Sequence, residues 1–199
     1  AGRNGGGFVI LLIGGESCTG KTLLAQRLLE KCGIPYLSAD HVKMGLIRGG
    51  LADFSAEEDD RLISDRMWGV LSGILKTVVE NRQHLIMEGC YFRPALTARL
   101  EEAYRPAVLE VYLGFSDAYI RARYADILSH RNAIEHRLYP ETRSMEALLQ
   151  AHRALREECG GCPGYFEVQH DYVSEIDALA DRLAAEIAAR MAAERQASR

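Results

Sequence analysis

Residues 15–22 read Gly15-Glu16-Ser17-Cys18-Thr19-Gly20-Lys21-Thr22, a Gly-x4-Gly-Lys-Thr pattern without a gap. Before them runs Phe8-Val9-Ile10-Leu11-Leu12-Ile13, apolar at every position. A strand buried on both faces looks like this, as in a parallel sheet covered by helices. After them Leu24, Leu28 and Cys32 recur at helical spacing up to Gly33, a residue suited to a helix C-cap. Buried strand, glycine-rich loop and helix in that order make a polyphosphate cradle. The glycines let several N–H groups turn toward one point, and the helix N-terminus adds its dipole. Lys21 reaches the β- and γ-phosphates, and the Thr22 hydroxyl is placed to ligate magnesium. Gly15, Glu16, Ser17, Cys18, Thr19, Gly20, Lys21, Thr22 and Leu23 are therefore the expected nucleotide-binding residues. ATP and Mg2+ are the expected cofactors. The alternative, a chance glycine turn, does not account for the flanking strand and helix.

Working outward, Ile34–Ser38 reads as a second strand. Ser55-Ala56-Glu57-Glu58 fits a capping box that opens a helix running to about Asn81, with Ile63, Met67, Leu71, Ile74, Leu75 and Val78 as its apolar stripe. His84–Glu88 is a third strand, and Pro94 suits the first turn of a helix ending before Pro106. Ala107–Leu113 is a fourth strand, and Ser116 caps the helix after it. A further helix spans about Met145–Glu158, a fifth strand Tyr165–Gln169, and a last amphipathic helix 174–195 turns Ile176, Leu179, Leu183 and Ile187 inward. Strands alternating with helices imply an α/β fold with a parallel sheet and right-handed crossovers. Ala1–Gly7 reads as a flexible N-terminal lead and 8–199 as a single domain, with a basic, irregular lid at about 126–143.

Asp40 follows the second strand, at the sheet edge where open α/β sheets bind ligands. It is placed to accept a proton from an acceptor hydroxyl, or to cap a helix beginning at His41. Lys43 and Arg48 lie within two helical turns; Arg48 is a candidate for binding an acceptor phosphate or carboxylate, whereas Lys43 reads first as a solvated charge. Glu88 ends the third strand, where a carboxylate holds magnesium, orients water, binds the acceptor or pairs with a lysine. Gly89 behind it would admit a ligand to bare backbone, and Arg93 follows at the same edge. The lid region carries Arg121, Arg123, His130, Arg131, His136, Arg137 and Arg143. An arginine delivered by a closing segment stabilises the charge spread over a transferring phosphoryl group, and Arg121 and Arg137 are the candidates. Each is also readable as an ordinary surface charge.

The other bulk properties narrow the partners. A net charge of −4 lacks the basic surface of a nucleic-acid binder. The longest apolar run is too short for a membrane span, and five cysteines argue against a disulfide framework. A cytoplasmic monomer or homodimer acting on a small molecule is the expectation. Cys159-Gly160-Gly161-Cys162 is a lone C-x-x-C pair without the second pair that a structural zinc site asks for.

Gly15–Thr22, Tyr36-Leu37-Ser38-Ala39-Asp40, Ile86-Met87-Glu88-Gly89 and the arginine-rich segment, in that order, resemble the P-loop small-molecule kinases of the nucleoside monophosphate kinase-like group. Chloramphenicol phosphotransferase, zeta toxins and 2-phosphoglycerate kinase-like proteins fall in that group. The resemblance implies a three-layer P-loop NTPase fold with a five-stranded parallel sheet in order 2-3-1-4-5, a helical lid and an acceptor-binding helical region. It also implies that Asp40, which matches the aspartate after the second strand, is the base. The expected activity is transfer of the γ-phosphate of ATP to a hydroxyl of a small molecule. Lys21, Asp40, Arg121 and Arg137 would be catalytic, Asp40, Arg48, Glu88 and Arg93 would bind the acceptor, and Thr22 and Glu88 the metal. A nucleoside monophosphate kinase and a nucleotide-binding regulator are the alternatives.

Overall fold

β1 (Ile10–Gly15) is buried along its whole length, with its odd and even side chains entering different cores. Leu11 and Ile13 pack with α1 (Lys21–Cys32) and the C-terminal helices, while Ile10 and Leu12 pack toward α3 (Asp60–Glu80). This two-sided burial is why the strand shows no polar alternation. The computed structural model describes residues 8–129 and 143–197.

The remaining strands are β2 (Tyr36–Ser38), β3 (Leu85–Glu88), β4 (Val108–Phe115) and β5 (Tyr165–Val168). All pairings are parallel, in the order β2-β3-β1-β4-β5, as the resemblance implied. The register sets Ile13 beside Glu88 and Ser38 beside Glu88, so the carboxyl ends of β1, β3 and β2 finish together. α2 (Ala39–Arg48) leaves β2 directly, α4 (Pro94–Thr97) follows β3, and α5 (Asp117–Ser129), α6 (Met145–Glu158) and α7 (Tyr172–Ala197) complete the layers. Among the described residues no helix is long and apolar enough to cross a membrane.

Several local signals act as the sequence indicates. Gly33 adopts φ +67° and donates its N–H to the Leu29 carbonyl, closing α1. The Ser116 hydroxyl accepts the Tyr119 N–H at 3.1 Å at the start of α5. The expected capping box behaves differently. Glu58 does accept the Ser55 N–H at 2.8 Å, but α3 begins at Asp60 and is capped by Asp59, whose carboxylate takes the Arg61 and Leu62 N–H groups. The charged Asp59 sits directly before the first apolar turn and outcompetes the serine. The helix after Pro94 is one turn long, and residues 126–129 belong to α5. Residues 130–142 of the expected lid, with Arg137, lie outside the described residues.

Candidate active site

The glycine-rich loop follows β1 with positive φ at Gly15 (+128°), Cys18 (+67°) and Gly20 (+89°). These left-handed steps turn the chain so that it re-enters α1 at Lys21. The Glu16 carbonyl anchors the curl, accepting from the Thr19 hydroxyl at 2.7 Å and from Lys21 Nζ at 2.6 Å. Lys21 is buried, so its ammonium is held within the loop rather than in solvent. Thr22 and Leu23 stand half-buried in the first turn of α1.

Across the sheet edge, Asp40 occupies the first turn of α2 rather than capping it, because the helix starts at Ala39. Its Oδ1 accepts the Tyr91 hydroxyl at 2.8 Å and faces Lys43 Nζ at 3.1 Å. Lys43 Nζ also lies 5.3 Å from the centroid of the Tyr91 ring. Lys43 is therefore no simple solvated charge: its side chain is 13% exposed and bound to Asp40. Gly89 serves packing here, since a Cβ on it would lie 2.8 Å from the Ala39 Cβ and push α2 away. Glu88 is buried at the end of β3.

The other candidates disperse. Arg93 caps α4 and donates from Nε and Nη2 to Glu158 Oε2 at 3.0 and 2.6 Å, which commits it to α6. Arg48 is exposed in the last turn of α2. Arg121 is exposed on α5 and does not line the cavity beside the loop; Arg123, near the kink of that helix, does.

Two residues that pattern reasoning passed over stand closer to the centre. Arg143 Nη1 lies 3.3 Å from Glu16 Oε2, and the Arg143 carbonyl accepts the Tyr124 hydroxyl at 2.6 Å. Asp60, in the first turn of α3, is exposed at the surface, with protein crowding one side of it. Burial raises its carboxyl above the ordinary range, Lys43 opposes the rise, and Glu16 and Asp40 add to it. In the sequence Asp60 falls inside the helix expected after the Ser55–Glu58 box, and nothing in the pattern singles it out.

A cavity of about 190 Å³ opens beside the loop. Cys18, Phe115, Tyr119, Arg123 and Tyr172 line it, with rings Phe115 and Tyr119 stacked 5.0 Å apart. The aromatic residues stand after the carboxyl ends of β4 and β5, the one sequence signal that would have marked them. His152 backs this wall: its Nδ1 accepts the Phe115 N–H at 3.0 Å, and burial, with Arg143 and Lys21 beside it, pushes its pKa down to about 3. Cys159 and Cys162 share a tight turn packed on Tyr112, and among the described residues no group of three metal-ligating side chains assembles.

No family model matches the chain, and no curated protein does. Solved structures do. A gluconokinase from Sinorhizobium meliloti 1021 is similar at 18% identity and TM-score 0.54, covering 93% of this chain and 97% of that one. A Deinococcus radiodurans tunicamycin resistance protein matches at 18% identity and TM-score 0.57, over 90% and 95% of the two chains. A sugar kinase from Janibacter sp. HTCC2649 matches at 14% identity and TM-score 0.52, over 88% and 94%. Glycine-rich loop, 2-3-1-4-5 sheet and these likenesses agree: the chain has the P-loop small-molecule kinase-like fold.

Proposed function

We propose that the chain is an ATP-dependent phosphotransferase that moves the γ-phosphate to a hydroxyl of a small molecule. The observation that carries this reading is Asp40. A carboxylate held by two donors stands at the sheet edge beside a phosphate-binding loop, where an acceptor and a γ-phosphate would meet.

The residues fit a bound nucleotide. The positive-φ steps give the loop the curl that lets N–H groups converge on an anion, and Lys21 folds back onto the Glu16 carbonyl within that curl. The purine would lie in the aromatic cavity of Phe115, Tyr119 and Tyr172. Thr22 and Glu88 would hold Mg2+, which when bound neutralises charge shared by the β- and γ-phosphates. Asp40 orients the acceptor hydroxyl and takes its proton as the new P–O bond forms and the bond to the β-phosphate oxygen breaks. Lys21 and the loop amides stabilise the charge left on the departing ADP. Arg143, just before α6, would face the same phosphates, with Arg137 a further lid candidate. Arg121, exposed away from the loop, acts there only if the lid moves it. Glu88, with Asp60 from α3, would border the acceptor space, whereas Arg48, exposed at the end of α2, and Arg93, tied to Glu158, would join it only by moving. The net charge of −4 favours a small-molecule partner over nucleic acid, and the protein is taken as a cytoplasmic monomer or homodimer.

The test is radiolabelled transfer from ATP with Mg2+ to a panel of sugars, hydroxylated antibiotics and nucleoside monophosphates. A hydroxyl acceptor is expected, with Asp40→Asn binding ATP normally and losing about 100-fold or more in turnover. Selective phosphorylation of a nucleoside monophosphate, undiminished in Asp40→Asn, would refute the reading. Slow hydrolysis indifferent to every acceptor would point to a nucleotide-binding regulator instead.

A further inference from the structure

Asp40, Lys43 and Tyr91 touch one another pairwise. The Tyr91 hydroxyl donates to Asp40 Oδ1 at 2.8 Å, Lys43 Nζ lies 3.1 Å from the same oxygen, and that ammonium stands 5.3 Å from the centroid of the Tyr91 ring. The three come from two elements. Asp40 and Lys43 are three residues apart on α2, and Tyr91 follows β3. None is free to drift. Tyr91 is 1% exposed and belongs to the core beneath α2, and the Lys43 side chain is largely enclosed. Enclosing an ammonium and a phenol is unfavourable unless both are satisfied, and here one carboxylate oxygen satisfies both.

We infer that Tyr91 and Lys43 are positioning residues for Asp40, fixing its rotamer through a single carboxylate oxygen and holding it in the ionised form in which it orients and deprotonates the acceptor. The inference rests on the reading of Asp40 given above and goes beyond it by assigning the groups that make that aspartate competent. The cation–π contact closes the triangle: Lys43 is held over the Tyr91 ring while both lean on Oδ1, so a change in either donor loosens the other.

Among the described residues, the charged and titratable groups facing Asp40 include Lys43 from its own helix, Cys90 and Tyr91 from the segment after β3, and Asp60 from α3. Lys43 and the Tyr91 hydroxyl favour the carboxylate, and Asp60 opposes it. Burial, with Cys90 and Asp40 behind it, raises the Tyr91 phenol, so it remains a protonated donor throughout the working pH range. Removing a donor from a carboxylate raises its pKa, so the acid limb of any Asp40-dependent process must move to higher pH.

The experiment needs no acceptor. The full chain is labelled with carboxyl-13C aspartate and titrated by NMR, the Asp40 resonance being the one lost in Asp40→Asn. In Tyr91→Phe, which keeps the ring and its packing, the Asp40 midpoint is expected to rise by about one pH unit, the size of one hydrogen bond to a charged group. Lys43→Met removes the second donor from the same oxygen and is expected to raise it at least as much. A Tyr91→Phe midpoint unmoved, with Lys43→Met equally silent, overturns the inference. The two readings fail separately. An unmoved midpoint with transfer abolished in Asp40→Asn removes the clamp and leaves the base, whereas a shifted midpoint with transfer intact in Asp40→Asn removes the base and leaves the clamp.

Discussion

Replacing Gly20 with alanine probes how tightly the phosphate-binding loop is built. Gly20 adopts φ +89°, and a Cβ there would lie 2.5 Å from the Tyr172 hydroxyl oxygen and 3.0 Å from two of its ring carbons. Two costs add. The left-handed backbone costs a residue with a Cβ about 1–2 kcal/mol. The overlap with a well-packed ring costs a further ~1–3 kcal/mol. Gly33 separates them, because it too has positive φ (+67°) but nothing lies within 4 Å of its added Cβ. Gly33→Ala should therefore lose only about 1–2 kcal/mol, and Gly20→Ala about 2–5 kcal/mol, in urea unfolding. Tyr172→Phe removes the atom at 2.5 Å while the ring carbons stay, so a double-mutant cycle should show a favourable coupling of about 1 kcal/mol. Calorimetric titration with ATP and Mg2+ should show at least about tenfold weaker binding for Gly20→Ala, since relieving the overlap turns the loop amides, and no change for Gly33→Ala. If Gly20→Ala matches Gly33→Ala in both assays, the loop is not braced by Tyr172 and the reasoning fails.

Arg143→Gln removes a half-exposed ion pair to Glu16, so unfolding should move by less than about 1 kcal/mol, whereas turnover should fall ~10–100-fold with little change in ATP affinity. Equal activity in steady-state assays would remove Arg143 from the site. His152 is neutral in the fold, its pKa pushed down from 6.5 to about 3. Above pH 6.5 both states leave it neutral; below, the unfolded chain takes a proton that the fold refuses. Stability from this group is therefore complete above about 6.5 and falls by about 1.4 kcal/mol per pH unit toward pH 3. Denaturation midpoints at pH 7.5, 6 and 5 should show that slope, and His152→Gln, which keeps an acceptor for the Phe115 N–H, should flatten it.

The donor half of the site was legible because it is local. Loop, buried strand and helix occupy one continuous stretch from Phe8 to Cys32, and each physical requirement falls on a neighbouring residue. Asp40 and Glu88 were legible because strand ends are: an acid closing an apolar run lands at the same edge once β2 and β3 flank β1. Residues whose place depends on a partner far along the chain were not. Lys43 reads as a surface charge until Tyr91 and Asp40 are seen around it. Arg93 reads as an acceptor ligand until Glu158, 65 residues later, takes two of its three guanidinium nitrogens. Asp60 carries no signal, because the capping box expected at Ser55–Glu58 places it inside the helix as an ordinary charge.

α6 concentrates these distant dependencies and explains why they matter to function. Just before its N-terminus, Arg143 reaches Glu16 of the loop, 127 residues away in sequence. From its middle, His152 holds the backbone end of β4 behind the aromatic cavity. At its C-terminal end, Glu158 grips Arg93, which caps the short helix after β3. One helix and the residue before it thus tie the loop, the cavity wall and the segment after β3, each of which is delivered by a different strand. A phosphoryl transfer depends on keeping donor and acceptor in line to within a fraction of an ångström. The parallel sheet brings the strand ends together, but short loops leave their tips free to shift against one another. A brace fixed at three points limits that freedom. Glycine pattern and apolar periodicity encode the sheet; the brace is encoded only in pairings among Arg, His and Glu side chains, which single-sequence spacing does not expose.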